Sequence, residues 1–373
     1  MGVFTWDQVN AWRLRRHFLL ERADRSALLD VVTRLGGVHA QLMSAAELIL
    51  WARMEHLAAE DVQNALWQER VLVKTWAMRG TLHLLTREDF ARQVAARSTL
   101  KARRPPSWFT YHGVTPDDLT AILVGVPATV GAQPLTREQL ADAVAKRADK
   151  PHLREVLRSG WGALLKPAAF RGELCFGPNQ GQNVTFVRPV AWLGDWEIGE
   201  IEGALAEIAQ HFLGVYGPAT VDEFARWFGC EPGDAKRAFR ALDDAVVEVT
   251  VAGWQAWALT SSLEAMQTTE SVHVVRLLPY FDPYTLAVAR HAHFLLPAAY
   301  KGRIYRPQGW IAPVVLVDGQ LAGVWEYEQK RTQVRIEVEL FAPPTVTLKQ
   351  GLEAEAARLG DFLGTGVEIS YST

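Results

Sequence analysis

Three times in this chain a run of helix signals ends in a short, glycine-turned hairpin, and that recurrence restricts the fold more than any other feature. In the first run, residues 26–35 (SALLDVVTRL) set Leu28, Leu29, Val32 and Leu35 at helical spacing before Gly36 and Gly37, a pair suited to the positive φ that ends a helix. Leu48, Ile49, Trp51 and Ala52 lie on the next periodic segment, residues 59–68 make another, and residues 71–85 alternate around Gly80 as a hairpin. In the second run, Thr115-Pro-Asp-Asp and Thr136, with Gln139 at capping-box spacing, start two helices. Residues 153–165 make a third helix, and residues 173–186 are two strands around GPNQGQN. In the third run, a helix over 197–216 stops at Gly217-Pro218, Thr220 caps another with Glu223 three residues on, residues 232–242 follow, and 246–259 turn at Ala252-Gly253.

Helix, helix, helix and hairpin is the order of a winged helix. Ahead of the first unit, Thr5 is a good N-cap for an amphipathic helix over 5–22, with Trp6, Val9, Trp12 and Leu19 beside Arg13, Arg15 and Arg16. From residue 272 the texture changes to strands, with Asp318-Gly319 as a hairpin signal and a closing helix over 347–362. The predicted fold is therefore α+β: three tandem winged-helix motifs over 1–110, 111–195 and 196–270, followed by a β-rich, barrel-like domain over 271–373.

Charge bears on the partner through its distribution. The net charge is −3, yet residues 1–110 hold 16 Lys and Arg against 11 Asp and Glu, and the rest hold 23 against 31. A basic N-terminal part can track phosphates while the whole chain stays acidic. No apolar run approaches the roughly 18 residues of a membrane span and the first residues lack a signal peptide, so a cytoplasmic protein is expected. Cys175 and Cys230 lack disulfide or zinc-ribbon spacing. His273, Asp282, His291 and His293 lack a third ligand at motif spacing, so no metal is expected. No P-loop, dinucleotide fingerprint or nucleophile elbow occurs, and no cofactor is expected.

Four groups of residues invite a chemical reading. His39 and Gln41 fall in the connection or first turn after Gly36 and Gly37, where two polar side chains two apart point into one crevice if the backbone is extended. By spacing alone the pair reads more readily as a half-buried histidine and a capping glutamine. Arg79, Thr81 and His83 share one face of a strand, and either line that crevice or form the solvated face of a wing. Arg92, Arg97, Lys101, Arg103 and Arg104 precede Trp108, Phe109 and Tyr111, as a phosphate track with stacking rings or as a solvated helix face and core aromatics. Lys301, Arg303, Arg306 and Gln308 lie on a basic loop or hairpin that either enters a groove or guards a sheet edge.

Together with KTWAMRGTLHLL (74–85), YGPATVDEFARWFG (216–229), LLPYFDPY (277–284) and VLVDGQLAGVW (315–325), the His39/Gln41 stretch resembles the AlkZ-like and YcaQ-like bacterial DNA glycosylases over nearly the whole chain. In that family a Gln-x-Gln or Gln-x-Asp motif positions the water that attacks the sugar; here Gln41 matches the second position and His39 replaces the first glutamine. The resemblance implies a monofunctional glycosylase in base excision repair or self-resistance, releasing N7-alkylguanine or N3-alkyladenine, including bulky natural-product adducts or interstrand crosslinks. Its partner is double-stranded DNA carrying alkylated bases. A chain that carries three modules of its own is expected to act as a monomer. The alternative is a winged-helix regulator or noncatalytic lesion binder, which needs no water-positioning pair. If His39 takes the proton of the attacking water, activity falls on acidification below about pH 6, near the usual histidine value.

Overall fold

The computed structural model describes residues 2–101, 104–158, 162–268, 273–287, 293, 295–330 and 333–372. The chain enters through a short strand, β1 (Gly2–Phe4), and the helix Trp6–Arg16, which Thr5 and Gln8 close in a reciprocal capping box. That helix stops short of the predicted residue 22 because Phe18, at φ 54°, turns the chain away.

In the first unit the helices Leu28–Arg34, Met43–Trp51 and Ala59–Trp67 pack on a small antiparallel sheet of β2 (Val38–His39), β3 (Leu72–Trp76) and β4 (Leu82–Thr86), in the order β2-β4-β3. Gly37 has φ 109°, and a Cβ there would lie 2.5 Å from Leu85. The pleat divides the sheet's side chains. Val38, Leu72 and Leu84 share a core with Val32, Ile49 and Leu66, whereas Val73 and Leu85 pack with Phe90, Val94 and Phe212 of the third unit.

The second unit combines the helices Pro116–Thr129, Arg137–Ala148 and Leu153–Arg158 with β5 (Leu135–Thr136), β6 (Cys175–Gln180) and β7 (Asn183–Val187). Its core is built from Ile122, Val126, Leu140, Val144, Leu153, Phe176 and Phe186. The third helix is described over Leu153–Arg158, residues 162–165 are a bend and turn rather than its predicted last turn, and a separate helical turn, Lys166–Ala169, follows.

The helices Ala204–Tyr216, Val221–Phe228 and Pro232–Ala241 precede the hairpin of β8 (Val246–Val251) and β9 (Trp254–Leu259), turned by Ala252 and Gly253, both at positive φ. The N-terminus completes this third sheet: β1 lies parallel to β8, Gly2 opposite Val249, and Trp6 stacks on Trp254 at 5.4 Å.

The last part is a five-stranded sheet of β10 (Val275–Leu278), β11 (Val314–Val317), β12 (Gln320–Gln329), β13 (Gln333–Leu340) and β14 (Gly366–Ser372), ordered as in the chain. Here the barrel-like expectation fails: the sheet is open, with β10 and β14 at its edges. The crossover through the helix Val346–Leu363 returns β14 parallel to β13, and Leu352, Ala356 and Leu359 of that helix join the buried face of the sheet in one core. Residues 301–310 are likewise not strands. Lys301–Ile304 is a helical turn that buries Ile304, and a pairing of Tyr305 with Ile311 closes the exposed loop after it.

One buried contact ties the ends of the chain together. Arg53, just past the helix Met43–Trp51, donates two hydrogen bonds, at 2.7 and 2.8 Å, to the Asp282 carboxylate, and neither side chain has any exposed surface. Arg53 also donates to the Ile49 carbonyl, and Asp282 accepts from the Tyr284 backbone N–H. Removing one partner strands a charge away from water. Asp282→Asn is expected to cost about 3–5 kcal/mol in urea denaturation, and the double change Arg53→Met with Asp282→Leu to recover most of that loss.

Candidate active site

His39 lies on β2, directly opposite His83 on β4, with Thr75 of β3 beyond it, so the three form one buried cross-strand row. The short strand, rather than the first turn of a helix, makes the backbone extended at His39, and the Ala40 N–H continues the pairing to the Leu82 carbonyl at 2.7 Å. Gln41 follows at the bend that leads into the helix Met43–Trp51 and is half-buried. The rings of His39 and His83 meet edge-on, 5.4 Å apart.

The other wall comes from the far end of the chain. Phe281, held at φ 59° beside the anchored Asp282, stacks on His39 with ring centroids 4.5 Å apart and planes 28° from parallel. Trp310 lies 5.1 Å from Phe281, and Tyr280 meets Trp310 edge-on at 5.8 Å. His39, Phe281 and Trp310 thus form a ladder of rings from a site where His39 is 6% exposed to a surface where Trp310 is 40% exposed.

Burial, reinforced by the nearby Arg79 guanidinium, pushes the His39 imidazolium down to about 3. His83 is held well below the usual histidine value by burial first, and then by His39 and the Arg79 guanidinium beside it. Its Nδ1 lies 3.0 Å from the Thr81 carbonyl, which only accepts, so that nitrogen carries the hydrogen. Nδ1 of His39 is buried and has no hydrogen-bond partner among the described residues. The arrangement offers a neutral imidazole and a side-chain amide two residues apart, and neither group is an acid that would protonate a leaving group.

Several predicted DNA contacts sit elsewhere. Arg79, Thr81 and His83 do not share a strand face: Arg79 is in a left-handed turn at φ 57°, and β4 starts only at Leu82. The Arg79 guanidinium donates to the Trp227 carbonyl, Thr81 Oγ1 donates to the Met78 carbonyl at 3.1 Å, and His83 is enclosed. Arg97 donates to the carbonyls of Ala77 and Phe228 at 3.0 and 2.9 Å and lies over the rings of Phe170 and Phe228. Arg79 and Arg97 therefore fasten the first unit to the C-terminal end of the helix Val221–Phe228, where cations are favoured. Lys101 is exposed, Arg104 packs over Trp108 at 5.2 Å, and Arg103 lies outside the described residues. Lys301, Arg303, Arg306 and Gln308 are all exposed, with Arg303 paired to Glu339 and Arg306 to Glu326. Of the four residues weighed as metal ligands, Asp282 is committed to Arg53, His273 faces Asp318 at 3.4 Å, and His291 lies outside the described residues.

Phe281 and Trp310 went unmarked in the sequence reading. Their signals were present: an aromatic run ahead of Asp-Pro in residues 280–283, and a tryptophan after Pro307-Gln308-Gly309. Neither says that the two segments meet.

A family model described as DNA glycosylase AlkZ-like matches residues 32–362. The chain is 37% identical over 327 residues to an interstrand DNA cross-link repair glycosylase of Streptomyces sahachiroi, covering 86% of this chain and 88% of that protein. Its structure is similar to that of the Streptomyces sahachiroi DNA glycosylase AlkZ, with a TM-score of 0.88 and 35% identity, over 99% of this chain and 100% of the other.

The buried histidines also make stability depend on pH. His17, packed edge-on against Tyr216 and Tyr284, is held neutral by burial like His39 and His83. Their folded values lie below the unfolded value of about 6.5, so their contribution is complete above that pH and is lost as pH falls toward the folded values. At pH 5.5, below the unfolded value, each is expected to cost on the order of 1 kcal/mol relative to pH 7.5. Urea denaturation at pH 7.5 and 5.5 measures the difference, which His39→Gln should shrink by one histidine's share.

Proposed function

The chain belongs to the AlkZ-like family of DNA glycosylases, and from that premise we propose that it hydrolyses the N-glycosidic bond of alkylated purines in double-stranded DNA. The substrates are N7-alkylguanine and N3-alkyladenine, with bulky adducts and interstrand crosslinks among them, the last in keeping with the Streptomyces sahachiroi relative being an interstrand DNA cross-link repair glycosylase. The role is base excision repair or self-resistance. The observation that supports the reading is the neutral, buried His39 two residues from Gln41, in the stretch where the resemblance implies the water-positioning motif.

An alkylated purine of this kind is already cationic, so the base leaves without strong protonation. What remains is to place a water behind the anomeric carbon and stabilise an oxocarbenium-like transition state, tasks for positioning and oriented dipoles. Gln41 holds the water through its amide. His39 orients it: a group that protonates only near 3 is a poor proton store, and its neutrality spares the developing sugar cation from repulsion. The expected loss of activity below pH 6 through His39 is therefore replaced by insensitivity. The helix-and-hairpin units are read as tandem winged helices, divided near residues 110, 195 and 270, that hold one duplex. Lys101, Arg104, Lys301, Arg303, Arg306 and Gln308 are its phosphate and groove contacts, and the enzyme works as a cytoplasmic monomer.

Single-turnover release of N7-methylguanine, read as alkali-labile strand breaks, tests the site. Gln41→Ala is expected to slow release roughly 100- to 1,000-fold with folding and duplex affinity unchanged; full activity would remove Gln41 from the reaction. The wild-type rate should change little from about pH 8 to about pH 5, and His39→Gln, which restores the family's residue, should remain within about tenfold. A base role instead requires a loss of roughly 100-fold or more in His39→Gln and a falling acid limb.

A further inference from the structure

We propose that Trp310 is the residue that recognises the damaged base, presenting its indole face to a purine that carries positive charge; this deepens the reading above and rests on it. Trp310 is a large apolar side chain left 40% exposed in a loop whose preceding residues, Arg306 to Gly309, are all exposed as well. Its placement is tied to the site: it lies 5.1 Å from Phe281, the ring that stacks on His39 at 4.5 Å. A base stacked on Trp310 joins the same row of rings, with Trp310 and Phe281 between it and His39, the residue that orients the water.

The ring is also held ready. The Arg306 N–H bonds the Trp310 carbonyl at 2.8 Å, Tyr305 pairs with Ile311, and Tyr280 meets the indole edge-on, so little order is lost when a ligand arrives. Indole is the aromatic side chain most attractive to a cation, and alkylation at N7 or N3 is what makes the purine cationic. An undamaged neutral base stacks on the same face without that added attraction. Arg306 does not oppose a cation there, because its charge is balanced by Glu326 at 3.4 Å. Trp310 thus selects the lesion by charge, while His39 and Gln41 serve the water.

The test uses the full chain and two duplexes that release no base: one with 2′-fluorinated N7-methylguanosine, which is cationic, and one with 7-deaza-7-methylguanosine, its neutral isostere. Wild type is expected to bind the cationic duplex more tightly. Trp310→Ala should erase that preference, a loss of roughly fivefold to a hundredfold, and Trp310→Phe should keep part of it, both with wild-type melting temperature and affinity for undamaged DNA. On cleavable N7-methylguanine the Trp310→Ala defect should fall on the half-saturating concentration more than on the saturated rate. An unchanged preference in Trp310→Ala, or none in wild type, overturns the inference. Wild-type turnover on N7-methylguanine would leave the proposed function standing in that case. Absence of turnover on both N7-methylguanine and crosslinked duplexes sinks the function and this inference with it.

Discussion

The Arg53–Asp282 pair is the constraint on which the rest of the site depends. Both groups are fully enclosed, so neither can part from the other without leaving a charge in a medium that does not solvate it. That pins the segment Tyr280–Tyr284 to the end of the helix Met43–Trp51 and leaves Phe281 against His39. Around it lies a layer of buried polar contacts of the same kind. Arg13 donates to the carbonyls of Gly217 and Pro218, Tyr216 to Leu35, and Tyr284 to Gly319, each joining parts of the chain far apart in sequence. Arg22 and Glu355 add an ion pair between the first unit and the last long helix. The site therefore sits at a joint whose geometry is set by obligatory pairing rather than by apolar contact alone.

Burial also explains how a histidine can stand where the resemblance to the family implies a glutamine. A neutral imidazole, like a primary amide, offers a donor and an acceptor in one planar group. What separates them in water is that the imidazole acquires charge near neutrality, and here burial and the Arg79 guanidinium remove that difference. His83, enclosed beneath it with its Nδ1 hydrogen given to Thr81, belongs to the same uncharged row. The environment of His39 thus gives it the uncharged hydrogen-bonding capacity of an amide.

The same environment revises the meaning of the basic N-terminal part. Arg13, Arg22, Arg53, Arg79 and Arg97 all lie within its charge excess, yet each is turned inward to carbonyls or carboxylates. Charge counted along a sequence measures the excess but not where it points. Of the basic residues expected to meet DNA, Lys101, Lys301, Arg303 and Arg306 remain outward, and they come from parts of the chain about 200 residues apart.

Local signals determined much of this protein. The capping residues Thr5, Thr115, Thr136 and Thr220, the glycine pair at 36 and 37, and the turns at Ala252-Gly253 and Asp318-Gly319 each act through hydrogen bonds or backbone angles within a few residues, so the sequence alone places them, and it marked His39 and Gln41 as the stretch to watch. Four things needed the tertiary structure. β1 found its partner at β8, some 245 residues away; a helix returned the final strand of an open sheet parallel to β13; Arg79 and Arg97 were drawn to carbonyls of the third unit; and Phe281, with Trp310 behind it, came to rest on His39. None of these leaves a trace in neighbouring residues, since each is decided by which distant surfaces exclude water together. The protonation state of His39 belongs with them, because desolvation is a property of the surroundings and not of the side chain.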